Sequence, residues 1–265
     1  MAKGAEGNDN FVMEHILDSS ELHLPFGIHV HLPHFEFYGI DLSITRHVVM
    51  MWVAALFLIV VLALNTRRRG MVPRGFANVV ESVVIFIRDE IAIPNIGKSE
   101  AQRFVSFLCT VFFFILTCNL VGMIPYGATA TGNINVTATL AICSFVMIQI
   151  GGIIHNGFFG YFKGLIPHGL PAWLLPIMIP IEVVGLFTKP FALCVRLFAN
   201  MTAGHVIILS VLGLIFMFNS LALAPAAVLF ALGVYLLEIF VAFVQAFIFT
   251  LLTAVFIGMA VHQDH

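Results

Sequence analysis

Long apolar runs separated by short polar segments make up most of this chain. The first run extends from about residue 47 to residue 64, and two more follow at about residues 104–124 and 136–159. Each has roughly the 20 residues that a helix needs to cross the hydrocarbon core of a bilayer. The pattern therefore predicts three membrane-spanning helices.

Two longer apolar runs fill the C-terminal part, at about residues 171–218 and 226–261. As helices they would be about 70 and 50 Å long, which is more than an upright span requires. Pro176, Pro180 and Pro190 permit bends near the start of the first run. Each run therefore either breaks into shorter pieces or forms one steeply tilted helix. We expect an ion-channel hairpin over residues 171–261, with its turn near residue 222.

Residues 73–92 are too polar to span a membrane, but their apolar side chains recur at helical spacing. The apolar side chains are Phe76, Val79, Val80, Val83, Val84, Ile87 and Ile91, and the polar ones opposite them are Arg74, Asn78, Glu81 and Arg88. Such a pattern is typical of an amphipathic helix that lies along a membrane interface.

The composition assigns the whole chain to the membrane proteins. Of its 265 residues, 60% are hydrophobic and only 10% are charged, whereas about a quarter are charged in a typical soluble domain. A soluble fold of this length could not bury so much apolar surface. We therefore predict an all-α polytopic membrane protein with about five membrane-embedded helices, including a long tilted C-terminal hairpin, plus an interfacial amphipathic helix.

The distribution of basic residues predicts the orientation of these helices. Arg67, Arg68 and Arg69 follow the first span and mark the cytoplasmic side. We therefore expect residues 1–45 to form an extracytoplasmic N-terminal segment, residues 46–265 to form the membrane domain, and the C-terminus to be cytoplasmic. The net charge of −2 gives no indication of a nucleic-acid partner.

The histidines of the N-terminal segment raise the question of a metal site. Pro33 breaks any helix there, and the alternation at His29 and His31 also fits a short strand, so surface or packing histidines are favoured over ligands. The segment also contains His15, His23 and His34. The four cysteines all lie in apolar runs and are interpreted as small hydrophobic fillers. We expect no cofactor and no metal.

A stripe of polar side chains runs along the first arm of the hairpin. Glu182, Lys189 and Arg196 are spaced seven residues apart, so each step turns only about 20° around a helix. Asn200 extends the stripe by four residues, which is one further turn. Ionisable groups at membrane depth cost several kcal/mol each and usually mark a pathway. The stripe therefore indicates one wall of a wet crevice.

The second arm carries a matching stripe, and the hairpin predicts which residues share a depth. Glu238 and Gln245 are seven residues apart. Counted from a turn near residue 222, His205 and Glu238 are about equally distant, and so are Arg196 and Gln245. The first pair would be a titratable couple. The second would join a fixed cation to a polar neighbour, because arginine does not lose its proton in proteins.

A purely structural interpretation of these charges stays open at this point. A buried arginine can extend its head group to the interface, or it can pair with a carboxylate such as Glu182. A stripe that faces a second stripe argues against that alternative for Arg196. Lys189 precedes Pro190 and is nearer one surface, so we interpret it as an interfacial anchor.

Several segments together resemble subunit a of the F-type ATP synthase, over nearly the whole chain. They are TKPFALCVRLFANMTAGH at residues 188–205, VQAFIFTLLTAVFIGMA at 244–260, NLVGMIP at 119–125 and EHILDS at 14–19. The RLF-x-N-x-x-A-G core and the QAFIF segment are specific. The resemblance implies a non-catalytic, ion-translocating stator subunit of the bacterial inner membrane, in a complex that couples an ion gradient to ATP synthesis.

The resemblance also implies partners and residue roles. The partners would be a rotating ring of c subunits at the Arg196 face, b-type peripheral stalk subunits, the rest of the complex and the lipid bilayer. Two aqueous half-channels would load and unload the ring. Arg196 matches the essential arginine of the family, and Gln245 and Asn200 match its polar companions. Glu182 matches the glutamate of the inner channel. Whether H⁺ or Na⁺ is carried depends mostly on the ring.

One departure concerns the outer channel. Some bacterial members have a carboxylate at the position of His205 and a histidine at the position of Glu238, so the two are exchanged here. The depth argument predicts that they still face each other. Among rival functions, a secondary transporter would show inverted repeats, and an intramembrane protease would need a Ser–His or paired-Asp arrangement. Neither pattern is found in the sequence. A structural scaffold would tolerate neutralisation of Arg196.

Overall fold

A computed structural model describes residues 21–24, 28–31, 36–37, 40–41, 43, 45–66, 75–124, 129–164, 174–218 and 224–263. Within these residues the chain is almost entirely helical. The α-helices are α1 (Arg46–Thr66), α2 (Phe76–Phe86), α3 (Ile93–Ile96), α4 (Lys98–Gly122), α5 (Ile134–Asn156), α6 (Phe158–Gly164), α7 (Leu175–Phe218) and α8 (Ala224–Val261). A π-helix (Ile87–Ala92) joins α2 to α3, and a 3-10 turn (Ala130–Gly132) precedes α5.

Five of these helices are long and apolar enough to cross a membrane, as the sequence predicts: α1, α4, α5, α7 and α8. Large apolar side chains cover their outer surfaces. For example, Leu56 on α1 is 63% exposed and Phe240 on α8 is 67% exposed. In a bilayer such side chains contact lipid, whereas in water they would form a large apolar surface. The chain is an all-α polytopic membrane protein.

The hairpin arms are continuous helices. α7 contains 44 residues, with Pro180 and Pro190 inside it, and α8 contains 38 residues. Their lengths are about 66 and 57 Å at the usual helical rise. A break within hydrocarbon would leave backbone N–H and C=O groups without partners, so an unbroken helix costs less than a gap even around a proline. Of the two alternatives, the structure therefore has the unbroken helices.

The second span begins earlier than its apolar run. α4 starts at Lys98, six residues before the predicted start at residue 104. Its first turns are polar. A hydrogen bond within the helix stabilises them, in which Arg103 Nη1 donates to Glu100 Oε2 at 2.8 Å. Hydrophobicity marks where a helix enters lipid, and this helix begins outside that region.

The third span ends slightly earlier than its apolar run. Gly157 has a φ of 72°, which ends α5 at Asn156. A separate short helix, α6, then begins at Phe158. Glycine adopts this left-handed backbone conformation without the steric cost that other residues meet.

The amphipathic segment is helical as predicted, and it is not among the helices that could span a membrane. Its apolar face changes along its length. Phe76 and Val79 are 61% and 56% exposed, whereas Ile87 and Ile91 in the π-helix are buried. The π-helix thus lies where the apolar side chains of the segment become buried against the rest of the protein. Its position at a membrane interface stays a prediction.

The N-terminal segment adds two short hairpins to the helical membrane domain. Strand β1 (Glu21–Leu24) pairs antiparallel with β2 (Ile28–His31), and β3 (Glu36–Phe37) pairs with β4 (Ile40–Asp41). The strand alternative for residues 29–31 is therefore confirmed. His15 and His34 lie outside the described residues.

Two compact units divide the chain. The first contains residues 1–58, 114–136 and 197–245, and the second contains residues 59–113, 137–196 and 246–265. In the first, Ala54, Cys118 and Ala130 form a buried apolar cluster. All four cysteines are free thiols. Cys118 and Cys194 are buried, as expected of hydrophobic fillers, but Cys143 is exposed.

Hydrogen bonds to other elements hold the C-terminal end of α8 in place in the second unit. Asn156 Nδ2 donates to the carbonyl oxygens of Ala260 and Val261, both at 3.1 Å. His262 Nε2 donates to the carbonyl oxygen of Ile96 at 2.8 Å. The last carbonyls of a helix have no partner within it, so Asn156 supplies hydrogen bonds that α8 cannot make for itself.

Replacing Asn156 by alanine should therefore destabilise the protein. Two hydrogen bonds disappear, and each typically contributes about 1 kcal/mol, so we expect a loss of about 1–2 kcal/mol. Thermal unfolding in detergent measures it as a lower midpoint. Asn78→Ala is the matched control, because Asn78 is exposed on α2. An equal midpoint for Asn156→Ala and the control would contradict the capping role.

Candidate functional site

His205 on α7 and Glu238 on α8 meet in the first unit. The Nδ1 atom of His205 lies 2.6 Å from Oε1 of Glu238, and the two side chains are 28% and 3% exposed. A carboxylate can only accept hydrogen bonds, so an ionised Glu238 requires the proton on Nδ1 of His205. The equidistance of the two residues from the hairpin turn predicts this contact, and the structure confirms it.

Gly204 makes this contact possible. A Cβ atom at position 204 would lie 2.7 Å from Oε1 of Glu238 and 2.9 Å from its Cδ atom. A larger residue would therefore push the carboxyl group away from the neighbouring ring. The glycine and the histidine are consecutive, so one turn of α7 supplies both the space and the partner for Glu238.

The second ring nitrogen of His205 faces the end of α4 and the segment after it. Thr129 Oγ1 lies 2.9 Å from Nε2, and the carbonyl oxygen of Gly122 lies 3.4 Å from it. The Thr129 side chain is buried, with 5% of its surface exposed. The ring is thus held on both sides, and its partners come from three separate parts of the chain.

More buried polar groups surround this site in the first unit. Thr131 Oγ1 donates to Asn119 Oδ1 at 2.6 Å, and Asn119 Nδ2 donates to the carbonyl oxygen of Ala242 at 3.3 Å. Tyr235, one turn before Glu238 on α8, donates its hydroxyl to the carbonyl oxygen of Met123 at 3.1 Å. These bonds hold α8 against the end of α4, and they thereby fix the position of Glu238 on α8.

Arg196 has a different environment. It is exposed on α7, as is Asn200 one turn later. Neither side chain has a hydrogen bond or ion pair within the described part of the chain. The structural alternative, an ion pair between Arg196 and Glu182, is therefore not observed. An exposed cation on an apolar membrane helix requires a counter-charge or water from beyond the described residues.

Glu182 borders a cavity of about 90 Å³ in the second unit. One water needs only about 15 Å³ of such volume, so the cavity has room for several. Polar side chains from three helices and the C-terminal segment line it: Gln149, Tyr161, Glu182, Lys189 and Gln263. Lys189, interpreted above as an interfacial anchor, thus shares a wall with Glu182, and its Nζ lies 5.4 Å from the centre of the Phe256 ring.

Two of these groups suit a wet cavity. The side-chain nitrogen of Gln149 is buried and has no hydrogen-bond partner among the described residues, so water in the cavity would satisfy it. Burial raises the pKa of Tyr161, so its phenol stays neutral at ordinary pH. The cavity therefore combines neutral hydrogen-bonding groups with one carboxylate and one ammonium group.

The structure joins some of the predicted site residues and leaves others separate. His205 and Glu238 are in contact, and Glu182 lies on a cavity wall. Gln245 is buried on α8 in the first unit, whereas Arg196 belongs to the second unit, so their pairing stays a prediction. The sequence patterns described above give no role to Thr129, Asn119 or Gln149. Each is polar within or beside an apolar run, which is the signal that could have found them.

Comparison with known proteins decides the family. Residues 48–258 match the family model described as ATP synthase A chain. The chain belongs to the ATP synthase A chain family. It is therefore a non-catalytic membrane subunit of an ATP synthase, with a part in ion transport and ATP synthesis, as the resemblance implies.

Curated relatives support this assignment over nearly the full length. ATP synthase subunit a of Chloroherpeton thalassium is 54% identical over 261 residues, which cover 96% of this chain and 77% of the relative. The subunit a of Myxococcus xanthus is 50% identical, with 95% and 88% covered. ATP synthase subunit a 2 of Chlorobaculum tepidum is 51% identical, with 99% and 76% covered.

The contact between His205 and Glu238 predicts the result of exchanging them. Each single change, His205→Glu or Glu238→His, places two like groups opposite each other. The double change restores one carboxyl group and one imidazole at the same distance. We expect the double variant to retain more proton flux than either single variant, measured by fluorescence quenching in membrane vesicles with equal assembly. A double variant no better than the singles would contradict a functional pair.

Proposed function

We propose that this chain is the stator subunit that passes protons to and from a rotating ring of c subunits through two aqueous half-channels. The observation that carries the proposal is the titratable couple of His205 and Glu238, which are 2.6 Å apart between two predominantly apolar helices. Arg196 stands nine residues earlier on the same helix and lacks a partner within the described chain. A structural scaffold needs neither feature.

His205 and Glu238 serve the outer half-channel in this proposal. Imidazole is the side chain whose unperturbed pKa lies closest to neutral pH, so it gains and loses protons readily. Glu238 is 3% exposed and accepts a hydrogen bond from the ring. The couple can therefore hold one mobile proton beside a carboxylate. This chemistry favours H⁺ over Na⁺ as the ion in that channel.

Arg196 separates the two half-channels. A ring carboxyl group must be neutral to face lipid, because an unpaired charge in hydrocarbon is too costly. Opposite a guanidinium group its anion is stabilised, and the proton leaves. The same permanent cation repels a proton that would otherwise pass directly between the channels. The exposure of Arg196 and Asn200 on α7 supports a partner at this face.

Glu182 and its cavity serve the inner half-channel. Fourteen residues separate Glu182 from Arg196 on α7, which is about 21 Å of helical rise. In the proposed function, the inner route ends at this distance from the arginine. The cavity beside Glu182 has room for water and a lining that can hold it.

The remaining partners and the orientation follow from the same proposal. The ring of c subunits would contact the face that carries Arg196, and b-type stalk subunits would hold the chain stationary. The chain would lie in the bacterial inner membrane, with its N-terminus outside and its C-terminus in the cytoplasm. The basic residues Arg67, Arg68 and Arg69 support this orientation, because such clusters stay on the cytoplasmic side.

Replacing Arg196 tests the proposal. Arg196→Ala should assemble into the complex but abolish ATP synthesis driven by a proton gradient, and it should open a passive proton leak. Arg196→Lys should also fail, because a desolvated lysine can lose its proton and has no planar fork. ATP synthesis, proton pumping and leak are measured in vesicles, with assembly checked by immunoblotting.

Arg103→Ala is the matched control. Arg103 is also a cation on a membrane helix, but it is 59% exposed and paired with Glu100 near the start of α4. Its loss should leave synthesis near the wild-type rate. An Arg196→Ala complex that assembles normally and synthesises ATP at that rate would show that the assigned role is wrong.

A further inference from the structure

Among the groups around the His205 ring, Thr129 differs from the others in the hydrogen bonds that its side chain can form. The described polar contacts of the ring are Glu238 Oε1, Thr129 Oγ1 and the backbone carbonyl of Gly122. An ionised carboxylate and a carbonyl can only accept hydrogen bonds. Thr129 carries the one hydroxyl in this set, so it alone can both donate and accept.

This difference matters because the neutral ring needs one donor and one acceptor. When His205 is neutral and Nδ1–H donates to Glu238, Nε2 holds a lone pair that accepts the hydroxyl proton of Thr129. When the ring takes up a proton from water in the outer channel, Nε2 becomes N–H and donates to Thr129 Oγ1. Rotation of one hydroxyl therefore satisfies Nε2 in both protonation states at the same 2.9 Å separation.

We propose that Thr129 is a positioning residue for the proton-carrying couple: it fixes His205 in the tautomer that points Nδ1–H at Glu238, and it satisfies Nε2 before and after protonation. The inference rests on the function proposed above. It adds a third residue, on the segment between α4 and α5, to a couple that lies on α7 and α8.

The packing around Thr129 allows its side chain to lie close to the His205 ring. A Cβ atom at Gly122 would collide with the Oγ1, Cα and Cβ atoms of Thr129. The glycine that ends α4 therefore gives Thr129 its place against the ring. The residues after it, Ala130 and Thr131, are also buried, at 1% and 0% exposure. Thr129 is thus packed against Gly122 and followed by buried residues, which suits a residue that orients another side chain.

Among the described residues, other charged or titratable groups do not substitute for the hydroxyl. Glu238, from α8, is the charged partner and already faces Nδ1. Tyr235, also from α8, donates its phenol to the carbonyl oxygen of Met123. Among the described groups, removal of the Thr129 hydroxyl would leave Nε2 facing the carbonyl of Gly122 at 3.4 Å, which cannot donate to a neutral ring.

The test uses vesicles that contain the complete ATP synthase and compares four variants. Thr129→Val removes the hydroxyl but keeps the branched shape, and Thr129→Ser keeps the hydroxyl but loses the methyl group. Thr253→Val is the matched control, because the Thr253 hydroxyl is equally buried but donates only to Phe249 of its own helix, at 2.8 Å. His205→Ala reports whether the couple itself is needed. The readouts are assembly, ATP-driven proton pumping and its pH profile.

We expect Thr129→Val to lower pumping about tenfold, the size of effect that one hydrogen bond to a charged group supports, and to shift the midpoint of the pH profile. Thr129→Ser should stay within about twofold of wild type, with an unchanged profile, and Thr253→Val should match wild type. Equal losses in Thr129→Ser and Thr129→Val would overturn the proposal, since packing would then explain both.

The His205→Ala variant separates this inference from the proposed function. If it abolishes pumping while Thr129→Val pumps like wild type with an unchanged pH profile, the role of Thr129 is wrong and the outer couple stands. If His205→Ala pumps at the wild-type rate, the couple itself carries no protons, and the proposed function of His205 is wrong together with the inference.

Discussion

Hydrocarbon offers no hydrogen bonds, so a membrane protein must provide a partner for every polar group that it buries. In this chain that constraint accounts for both the fold and the site. The two arms of the hairpin stay helical through Pro180 and Pro190, because an open backbone would be unsatisfied. Glu238 is buried beside His205, and His205 beside Thr129, so each member of the group supplies what the next one lacks.

Arg196 is exposed on α7 rather than buried, and the proposed function assigns its partner to another subunit. Glu238, His205 and Thr129 form hydrogen bonds with one another, whereas Arg196 and Asn200 form none within the described residues. A missing partner at membrane depth is too costly to be incidental. The His205–Glu238 couple is thus complete among the described residues. In the proposed function, a ring carboxyl group would be the partner of Arg196.

Periodicity and hairpin geometry predicted a large part of this arrangement from the sequence. The five spans follow from apolar runs long enough to cross a bilayer, and the meeting of His205 with Glu238 follows from their equal distances to the turn. The ends of helices are harder to predict than their presence, since α4 extends beyond its apolar run to Lys98. The contact of Thr129 with His205 could not be predicted, because it depends on a close approach at Gly122 that no local pattern encodes.

An electron cryo-microscopy map of the assembled complex, at a resolution that separates side chains, tests the central claim most directly. The quantity to measure is the distance from the Arg196 guanidinium group to the nearest carboxyl group of a neighbouring subunit. The account predicts a ring carboxyl group within about 6 Å, the range in which opposite charges strongly favour ionisation. An Arg196 that faces only lipid, or that is paired with a carboxylate of its own chain, would contradict it.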